Sequence, residues 1–217
     1  MKRVKKGLAF FLATWIWMLA LPVGTLSAME NTAEFLGGDG TEESPYLIAT
    51  KAHLDNVRKY LDAHFLMVAD VEFTEADFAE GGEFYNDGQG WEPIGIFSGV
   101  FDGNGYTVKH LFINRKYHGT TGWINVGLFS YNKGIIENLG MVESSITASC
   151  NVGIWSGGIA GNNVGTIQNC YNTGSVLSDS NATSYVGGIT GHNEGMVIQC
   201  HNSGHIDSNV STRSSNI

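Results

Sequence analysis

The side chains best suited to chemistry in this chain of 217 residues are acidic, and they cluster in one short segment. Between residues 70 and 90 stand Asp70, Glu72, Glu75, Asp77, Glu80, Glu83 and Asp87. Ca²⁺ takes six to eight oxygen ligands, so clustered carboxylates are one way to hold it. The segment lacks EF-hand spacing, and acidic loops are commonly solvated. We therefore predict a solvated insertion without a metal, with calcium binding as the alternative.

The seven histidines do not indicate a metal centre. His201 and His205 are four residues apart, but a Ser-Gly turn separates them in a strand-rich segment. The chain contains no His-Glu-x-x-His sequence, which would place two zinc ligands on one helical face. We predict neither a metal nor another cofactor.

Catalysis on carbohydrates would need convergent acids, as in glycosidases. The segment 144–193 contains a single acidic residue, Asp179, and residues 134–212 contain no Lys or Arg. The least unsuitable candidates are Asp102, Glu137, Lys109 and Lys133. Asp102 stands in Asp-Gly-Asn-Gly, however, which favours a turn. We predict no catalytic residue and a protein that is not an enzyme.

Aromatic residues offer a different route to function, because exposed rings stack on sugars. The candidates are Trp91, Trp123, Trp155, Tyr131, Tyr171 and Tyr185. The alternative is that large aromatic side chains fill the interior or cover its ends. Trp123 and Trp155 come four and two residues before repeated glycines, which favours packing at turns. No binding residue is therefore assigned from the sequence.

These residues are carried by a repeat of about thirty residues. Its starts are Gly127-Leu128-Phe129-Ser130, Gly157-Gly158-Ile159-Ala160-Gly161 and Gly187-Gly188-Ile189-Thr190-Gly191. Within the repeat, Asn-x-Gly recurs at Asn132, Asn163 and Asn193. The 29 glycines have no three-residue period, so collagen is excluded. The repeat predicts a stacked scaffold.

Two apolar columns are expected to stack from coil to coil: Ile136, Ile167 and Val197, and Leu139, Cys170 and Cys200. Three residues separate the columns, so period-two alternation cannot place both on one side of an unbroken strand. A bend must therefore fall between them, at Asn138, Asn169 and Gln199. Amide side chains at this corner are expected to bond along the stack.

The cysteines leave two possibilities open. Cys170 and Cys200 occupy equivalent positions, so stacking would place them about 4.8 Å apart. That distance permits a disulfide without requiring one. The preferred interpretation is a column of small thiols, because Leu139 holds the same position in the first repeat.

The first 28 residues are typical of an export signal, with a signal anchor as the alternative. A cationic start at Lys2, Arg3, Lys5 and Lys6 precedes an uncharged apolar run that ends near Ser27-Ala28. Signal removal changes the net charge from −9 to −13, with eight Lys and Arg against 21 Asp and Glu. This acidity argues against nucleic acid or an anionic membrane as a partner. After signal cleavage we predict no stable membrane span.

Residues 35–90 are predicted to form an N-terminal cap of strand, helix, strand and acidic loop. Thr50 suits a helix N-cap, and Leu54, Val57 and Leu61 share one helical face. Residues 91–217 then form the repeats, which start near 95, 127, 157 and 187. The variable stretch 177–184 is expected to be a loop.

The repeat starts, each followed by Asn-x-Gly and an Asn-Leu or Asn-Cys segment, resemble the GLUG motif of bacterial surface proteins. Trp91-Glu92-Pro93-Ile94-Gly95 and Phe101-Asp102-Gly103-Asn104-Gly105 resemble its usual lead-in. The resemblance covers residues 35–206 and implies coils like those of a parallel β-helix in exported adhesin-type proteins. The motif also occurs beside the catalytic domain of IgA-cleaving zinc metallopeptidases, whose zinc motif this chain lacks.

Together these features predict an all-β, right-handed parallel β-helix-like solenoid with one α-helix in its cap. We expect an extracellular or cell-surface scaffold without enzymatic activity that recognises a glycan or a host or cell-surface protein. The alternative is an accessory module of a larger secreted enzyme, an IgA-type peptidase or a polysaccharide-degrading enzyme. The last coil has no evident polar cap, which predicts an incomplete solenoid and association through that coil.

Overall fold

The chain is nearly all β, and its centre is a parallel β-solenoid of about three turns of roughly thirty residues. The computed structural model describes residues 34–119 and 121–210. The predicted signal, residues 1–28, and the final residues 211–217 lie outside this part. The predicted all-β solenoid class is confirmed.

Each complete coil contributes one strand to each of five parallel sheets, numbered I to V in chain order. Sheet I contains β8 (Trp123–Val126), β13 (Gly153–Gly157) and β18 (Ser184–Gly187). Sheet II contains β4 (Ile94–Phe97), β9 (Phe129–Asn132), β14 (Ala160–Asn163) and β19 (Thr190–Asn193). Sheet III contains β1 (Tyr46–Ile48), β2 (His64–Met67), β5 (Val100–Asp102), β10 (Ile135–Glu137), β15 (Thr166–Gln168) and β20 (Met196–Ile198).

The other two sheets complete each coil. Sheet IV contains β3 (Val71–Glu72), β6 (Thr107–Lys109), β11 (Gly140–Val142), β16 (Tyr171–Asn172) and β21 (His201–Asn202). Sheet V contains β7 (Phe112–Tyr117), β12 (Ser145–Cys150), β17 (Ser175–Ser180) and β22 (Ile206–Val210). The first coil, residues 94–117, thus supplies strands to sheets II to V and none to sheet I.

The predicted corner between sheets III and IV is confirmed. Ile136 pairs with Ile167, and Ile167 pairs with Val197. Between the two columns, Asn138, Asn169 and Gln199 have φ angles of 54°, 51° and 51°. The left-handed region turns the chain there, and Asn tolerates it better than most residues. The Asn169 amide also donates to Asn138 Oδ1 at 3.2 Å, which relieves polar groups at the bend.

The repeated Asn-x-Gly sequence forms two further columns. Asn132 Nδ2 donates to Asn163 Oδ1 at 2.7 Å, and Asn163 Nδ2 donates to Asn193 Oδ1 at 2.7 Å. A Cβ atom on Gly165 would lie 2.2 Å from the Gly134 carbonyl oxygen. The glycines therefore permit the coils to approach, while the amides bond along the solenoid axis.

The N-terminal cap is continuous with the solenoid. Strands β1 and β2 extend sheet III, and β3 extends sheet IV. Helix α1 (Lys51–Asn56) begins after Thr50, whose hydroxyl accepts from the His53 backbone N–H at 3.2 Å. A 3₁₀ turn, Val57–Lys59, continues it, and Leu54 and Val57 are buried. The cap thereby covers the apolar end of the first coil.

The acidic insertion is more ordered than the predicted loop. It contains a second short helix, α2 (Glu75–Phe78), whose first turn has a capping box between Thr74 and Asp77. Burial alone would raise the pKa of Asp77, but hydrogen bonds from Lys51 and Thr74 outweigh it, so this pKa is lowered. The Lys109 ammonium donates to Asp70 at 2.7 Å and lowers the pKa of that carboxyl. These ion pairs tie the insertion to the cap and to sheet IV.

The expectation of a loop over residues 177–184 was wrong for most of that stretch. Strand β17 extends to Ser180, and its six residues pair in register with β12. The side chains of Val176, Ser178 and Ser180 are buried on one side of the strand. Small polar residues therefore line the interior here, a pattern that apolar periodicity does not reveal.

The last coil exposes apolar side chains. Met196, Val197 and Ile198 are 56%, 40% and 41% exposed on β20. Within residues 34–119 and 121–210, no strand pairs with the outer edge of β20. Association through this coil stays a prediction.

All three cysteines are free, and their reactivities are expected to differ. Burial raises the pKa of the Cys170 thiol to about 12, and its Sγ atom donates to the Gln168 carbonyl at 3.1 Å. Cys150 is also buried, whereas Cys200 is partly exposed. Since the thiolate is the nucleophile, we expect Cys200 to react first with an aromatic disulfide reagent near pH 8.

The measurement is the amount of aromatic thiol that the reagent releases over time when it reacts with the native chain. A Cys200→Ser variant should lack the fast phase and retain the slow ones. A single reactive thiol after complete unfolding would show that two of the three cysteines form a disulfide, which would contradict the prediction.

Candidate functional site

Four aromatic rings from neighbouring coils form one surface feature, which we call the aromatic stack: Trp123, Trp155, Tyr185 and His192. The Trp123 and Trp155 ring centroids are 4.6 Å apart at an interplanar angle of 18°. The His192 ring lies 4.3 Å from Trp155 at 12°, and the Tyr185 ring lies 5.7 Å from Trp123 at 25°. Nearly parallel rings at these separations attract one another and hold a fixed arrangement.

Strand register positions these rings. Trp155 pairs with Tyr185 across β13 and β18, and alternation places Ile154 on the opposite, buried side. Trp123 pairs with Gly153, where an added Cβ would lie 2.3 Å from the Trp123 ring. Glycine at this position therefore lets the Trp123 ring lie flat along the sheet and reach Trp155.

The stack is open to solvent at two of its members. Trp123 is 44% exposed and Tyr185 is 50% exposed. Strand β8 is an edge strand of sheet I, and no described strand pairs with its other edge. Two ordered ring faces are therefore accessible from solvent at this edge of the solenoid, which makes the stack the candidate site.

The expected packing of Trp123 and Trp155 at turns was wrong. Both residues lie in strands, and the chain turns only after β8 and β13 end, at Gly127 and Gly158. Sequence reasoning also missed His192, which joins the stack from sheet II. His192 and Asn162 occupy equivalent positions in neighbouring repeats, each five residues after a repeated glycine, Gly187 and Gly157. This equivalence was the signal that the sequence contained.

The remaining predicted aromatic candidates lie elsewhere. Trp91 is fully buried, with the Arg58 guanidinium 5.0 Å from its ring centroid. The Lys133 ammonium lies 5.5 Å from the Tyr131 ring. Tyr171 stacks on His201 at 5.3 Å. None of these residues joins the aromatic stack in the described part of the chain.

The residues weighed for catalysis hold structural positions. Register places Asp102 beside Glu137 on adjacent strands. Asp102 Oδ1 accepts from the Asn104 backbone N–H at 2.7 Å and from Asn138 Nδ2 at 2.9 Å. Glu137 accepts from Gln168, Lys109 pairs with Asp70, and Lys133 contacts Tyr131. Each of these four side chains thus has a partner within the described chain.

No cluster of three or more His, Cys, Asp or Glu side chains suited to a metal occurs within residues 34–119 and 121–210. His205 precedes β22, while His201 stacks on Tyr171, so the two lie in different sheets or loops. The same part of the chain has no helix long and apolar enough to cross a membrane.

A groove of about 670 Å³ lies between α2 and the corner that joins sheets IV and V. Phe73, Phe78 and Leu111 contribute apolar surface to it. His110, with a φ angle of 56°, lies at its rim, and its Nε2 atom is 3.0 Å from Glu143. The groove offers an apolar recess with one polar pair.

The molecule is therefore a parallel β-solenoid with a partly exposed stack of aromatic rings on its surface. The chain is 37% identical over 179 residues to a proposed Gly-rich membrane protein of Evansella cellulosilytica, covering 78% of this chain and 19% of that protein. It is 33% identical over 155 residues to halomucin of Haloquadratum walsbyi, covering 66% of this chain and 2% of halomucin. The chain thus spans less than a fifth of either relative's length. No protein-family model matches it.

A solved structure described as a proposed immunoglobulin A1 protease from Bacteroides ovatus is similar in fold. The TM-score is 0.52 at 22% sequence identity, over 79% of this chain and 60% of the other. This likeness supports the solenoid architecture and no more.

Proposed function

We propose that the protein is an exported recognition scaffold that binds saccharide rings through the aromatic stack and does not convert its ligand. The observation that carries the proposal is the solvent exposure of Trp123 and Tyr185 within an ordered array of rings. Aromatic side chains provide a large, flat contact area at small cost in side-chain entropy. A sugar ring presents a similar flat array of C–H groups, so the two surfaces are complementary.

Several findings support an extracellular location. The N-terminal sequence is typical of an export signal, and the repeats resemble the GLUG motif of exported adhesin-type proteins. The relatives are named as a Gly-rich membrane protein and as halomucin, names that fit proteins of the cell envelope. A saccharide of a cell surface or of secreted material is then within reach. A host or cell-surface glycoprotein is one carrier of such a ligand.

The resemblance of the repeats to the GLUG motif, which also occurs beside the catalytic domain of IgA-cleaving metallopeptidases, favours a second role, as an accessory module of a larger secreted enzyme. In that role the solenoid would hold the substrate or cell surface near a catalytic part elsewhere. The contribution of this chain would again be binding, so both roles make the same demand on the aromatic stack.

The proposal predicts that Trp123→Ala weakens saccharide binding at least about tenfold, because a hot-spot aromatic residue contributes about 2 kcal/mol or more and tenfold corresponds to about 1.4 kcal/mol. The measurement is retention of the full chain by a panel of immobilised polysaccharides and glycans, followed by titration of the best ligand. Tyr185→Ala should give a similar loss.

The matched control is Tyr171→Ala, which removes a stacked aromatic ring from a different sheet. It should bind as the unchanged chain does. Equal binding by all variants would place the contact elsewhere, and failure to retain any glycan would contradict saccharide recognition. Hydrolysis of the bound polymer would contradict the non-enzymatic part of the proposal.

A further inference from the structure

The first coil leaves a gap in sheet I. In the second and third complete coils β13 and β18 extend that sheet, but residues 88–93, which directly precede the first coil, pair with no strand of it. Pro93 precedes β4 in this segment and lacks the N–H that a ladder needs. Beside the unpaired edge of β8 lies a cleft of about 370 Å³, which we call the Arg115 cleft.

Arg115 occupies an interior position of the solenoid. It pairs in register with Ala148, which in turn pairs with Ser178, and both of these side chains are buried. It also follows the buried Ile113 by two residues and so shares its side of β7. Because the gap removes the strand that would cover it, this side chain lines the cleft.

The charge of Arg115 is poorly compensated. Of the seven Lys and Arg residues described, four form ion pairs: Lys51, Arg58, Lys59 and Lys109. Arg115 and its neighbour Lys116 have no carboxylate within 4.0 Å among the described residues, although Glu92 lines the same cleft. Burial lowers the pKa of the Arg115 guanidinium, which reflects an incomplete replacement of its hydration.

The hydrogen-bonding capacity of the cleft is also incomplete. With its amide oriented to satisfy its neighbours, Asn86 accepts from the two terminal nitrogens of Arg115 at 3.1 and 3.2 Å. The Arg115 Nε and Asn125 Oδ1 atoms are buried and have no partner among the described residues. A buried donor and a buried acceptor beside the cleft are therefore left unpaired.

We infer that the Arg115 cleft binds the carboxylate of an acidic sugar, such as a uronic acid unit of a polysaccharide. A guanidinium matches a carboxylate in shape and charge, and a neutralising anion would offset its partial burial. Gln89, Asn125 and Ser130 also line the cleft and can bond sugar hydroxyls. Tyr117, 44% exposed at the rim, offers a ring face.

The size and location of the cleft agree with this ligand. Its volume lies in the range of about 300–1,000 Å³ that small-ligand sites occupy. It borders β8, the strand that carries Trp123, so one saccharide chain can contact both surfaces. The inference rests on the proposed saccharide binding and narrows it to acidic polymers.

The test compares a galacturonate trisaccharide with a galactose trisaccharide by calorimetric titration of the full chain. We expect the acidic ligand to bind at least about tenfold more tightly, and to weaken as salt is added. Arg115→Met should abolish the preference while keeping most of the side-chain volume. Arg115→Ala, which copies Ala148 of the next coil, provides a second variant that the fold accommodates.

The matched control is Lys133→Met, which removes another cation without a described carboxylate partner and should retain the preference. Equal binding of both trisaccharides, unchanged by Arg115→Met, would overturn the acidic-sugar inference and leave saccharide recognition standing. Binding of neither trisaccharide, when other glycans are retained, would overturn the inference alone. Retention of no glycan at all would overturn both.

Discussion

Replacing Gly165 with alanine is expected to lower the free energy of unfolding by about 3 kcal/mol, at the upper end for an overpacked site. The added Cβ would lie 2.2 Å from the Gly134 carbonyl oxygen, and backbone atoms cannot move aside as a flexible side chain does. Gly195 stands in the same relation to Gly165, at 2.1 Å, so displacement of one coil disturbs the next. For a chain of this size the melting temperature should fall by about 10 °C.

Gly95→Ala is the matched control, because Gly95 lies in β4 with an added Cβ no closer than 3.7 Å to the Leu61 side chain. It should change stability by less than about 0.5 kcal/mol. Both values come from thermal and urea unfolding followed by circular dichroism. Equal stability of the two variants would show that the glycine column does not set the spacing of the coils.

Asn163→Ala should lower the free energy of unfolding by a comparable amount, about 3 kcal/mol, because it removes buried hydrogen bonds. Asn163 is fully buried, accepts from Asn132 and donates to Asn193, with both distances 2.7 Å. It also donates to the Met196 carbonyl at 3.2 Å. Alanine leaves these groups without a partner in the interior, and it interrupts a chain of amides that polarise one another.

Asn181→Ala provides the comparison for this column. Asn181 Nδ2 donates to Asn151 Oδ1 at the same 2.7 Å, but the pair is exposed, so water replaces the lost bond. The Asn181→Ala substitution should change the free energy of unfolding by less than about 0.5 kcal/mol. If urea unfolding gave similar values for the two variants, burial would not be the source of the column's strength.

Much of the scaffold could be predicted from the sequence, because stacking repeats the same physical demand in every coil. Ile136 and Ile167 must be apolar to remain buried, and the corner residues Asn138 and Asn169 must tolerate positive φ. The cap helix followed from Thr50 and the spacing of its apolar residues. These features depend on local geometry that each repeat displays separately.

The candidate surfaces depended on information that one repeat does not contain. The side of the strand on which Trp123 lies depends on where the chain turns within each coil. Those turns fall at glycines, and the sequence of one repeat does not show which of its glycines form a turn. The position of His192 in the stack requires the relation between sheets I and II. The Arg115 cleft arises because the first coil has no strand in sheet I. The repeats predict a strand at that place in every coil, so they could not predict the cleft.

Because the glycine and asparagine columns make every coil the template for the next, a duplication of thirty codons would lengthen the molecule without redesigning it. Each added coil extends the solenoid by about 4.8 Å, the spacing of neighbouring strands. If the copied segment carried β13, the row of rings on sheet I would gain a further tryptophan. Unequal recombination could therefore change the length of such a protein and its number of exposed aromatic rings by one coil at a time. The contacts that stack each coil on the next would stay the same.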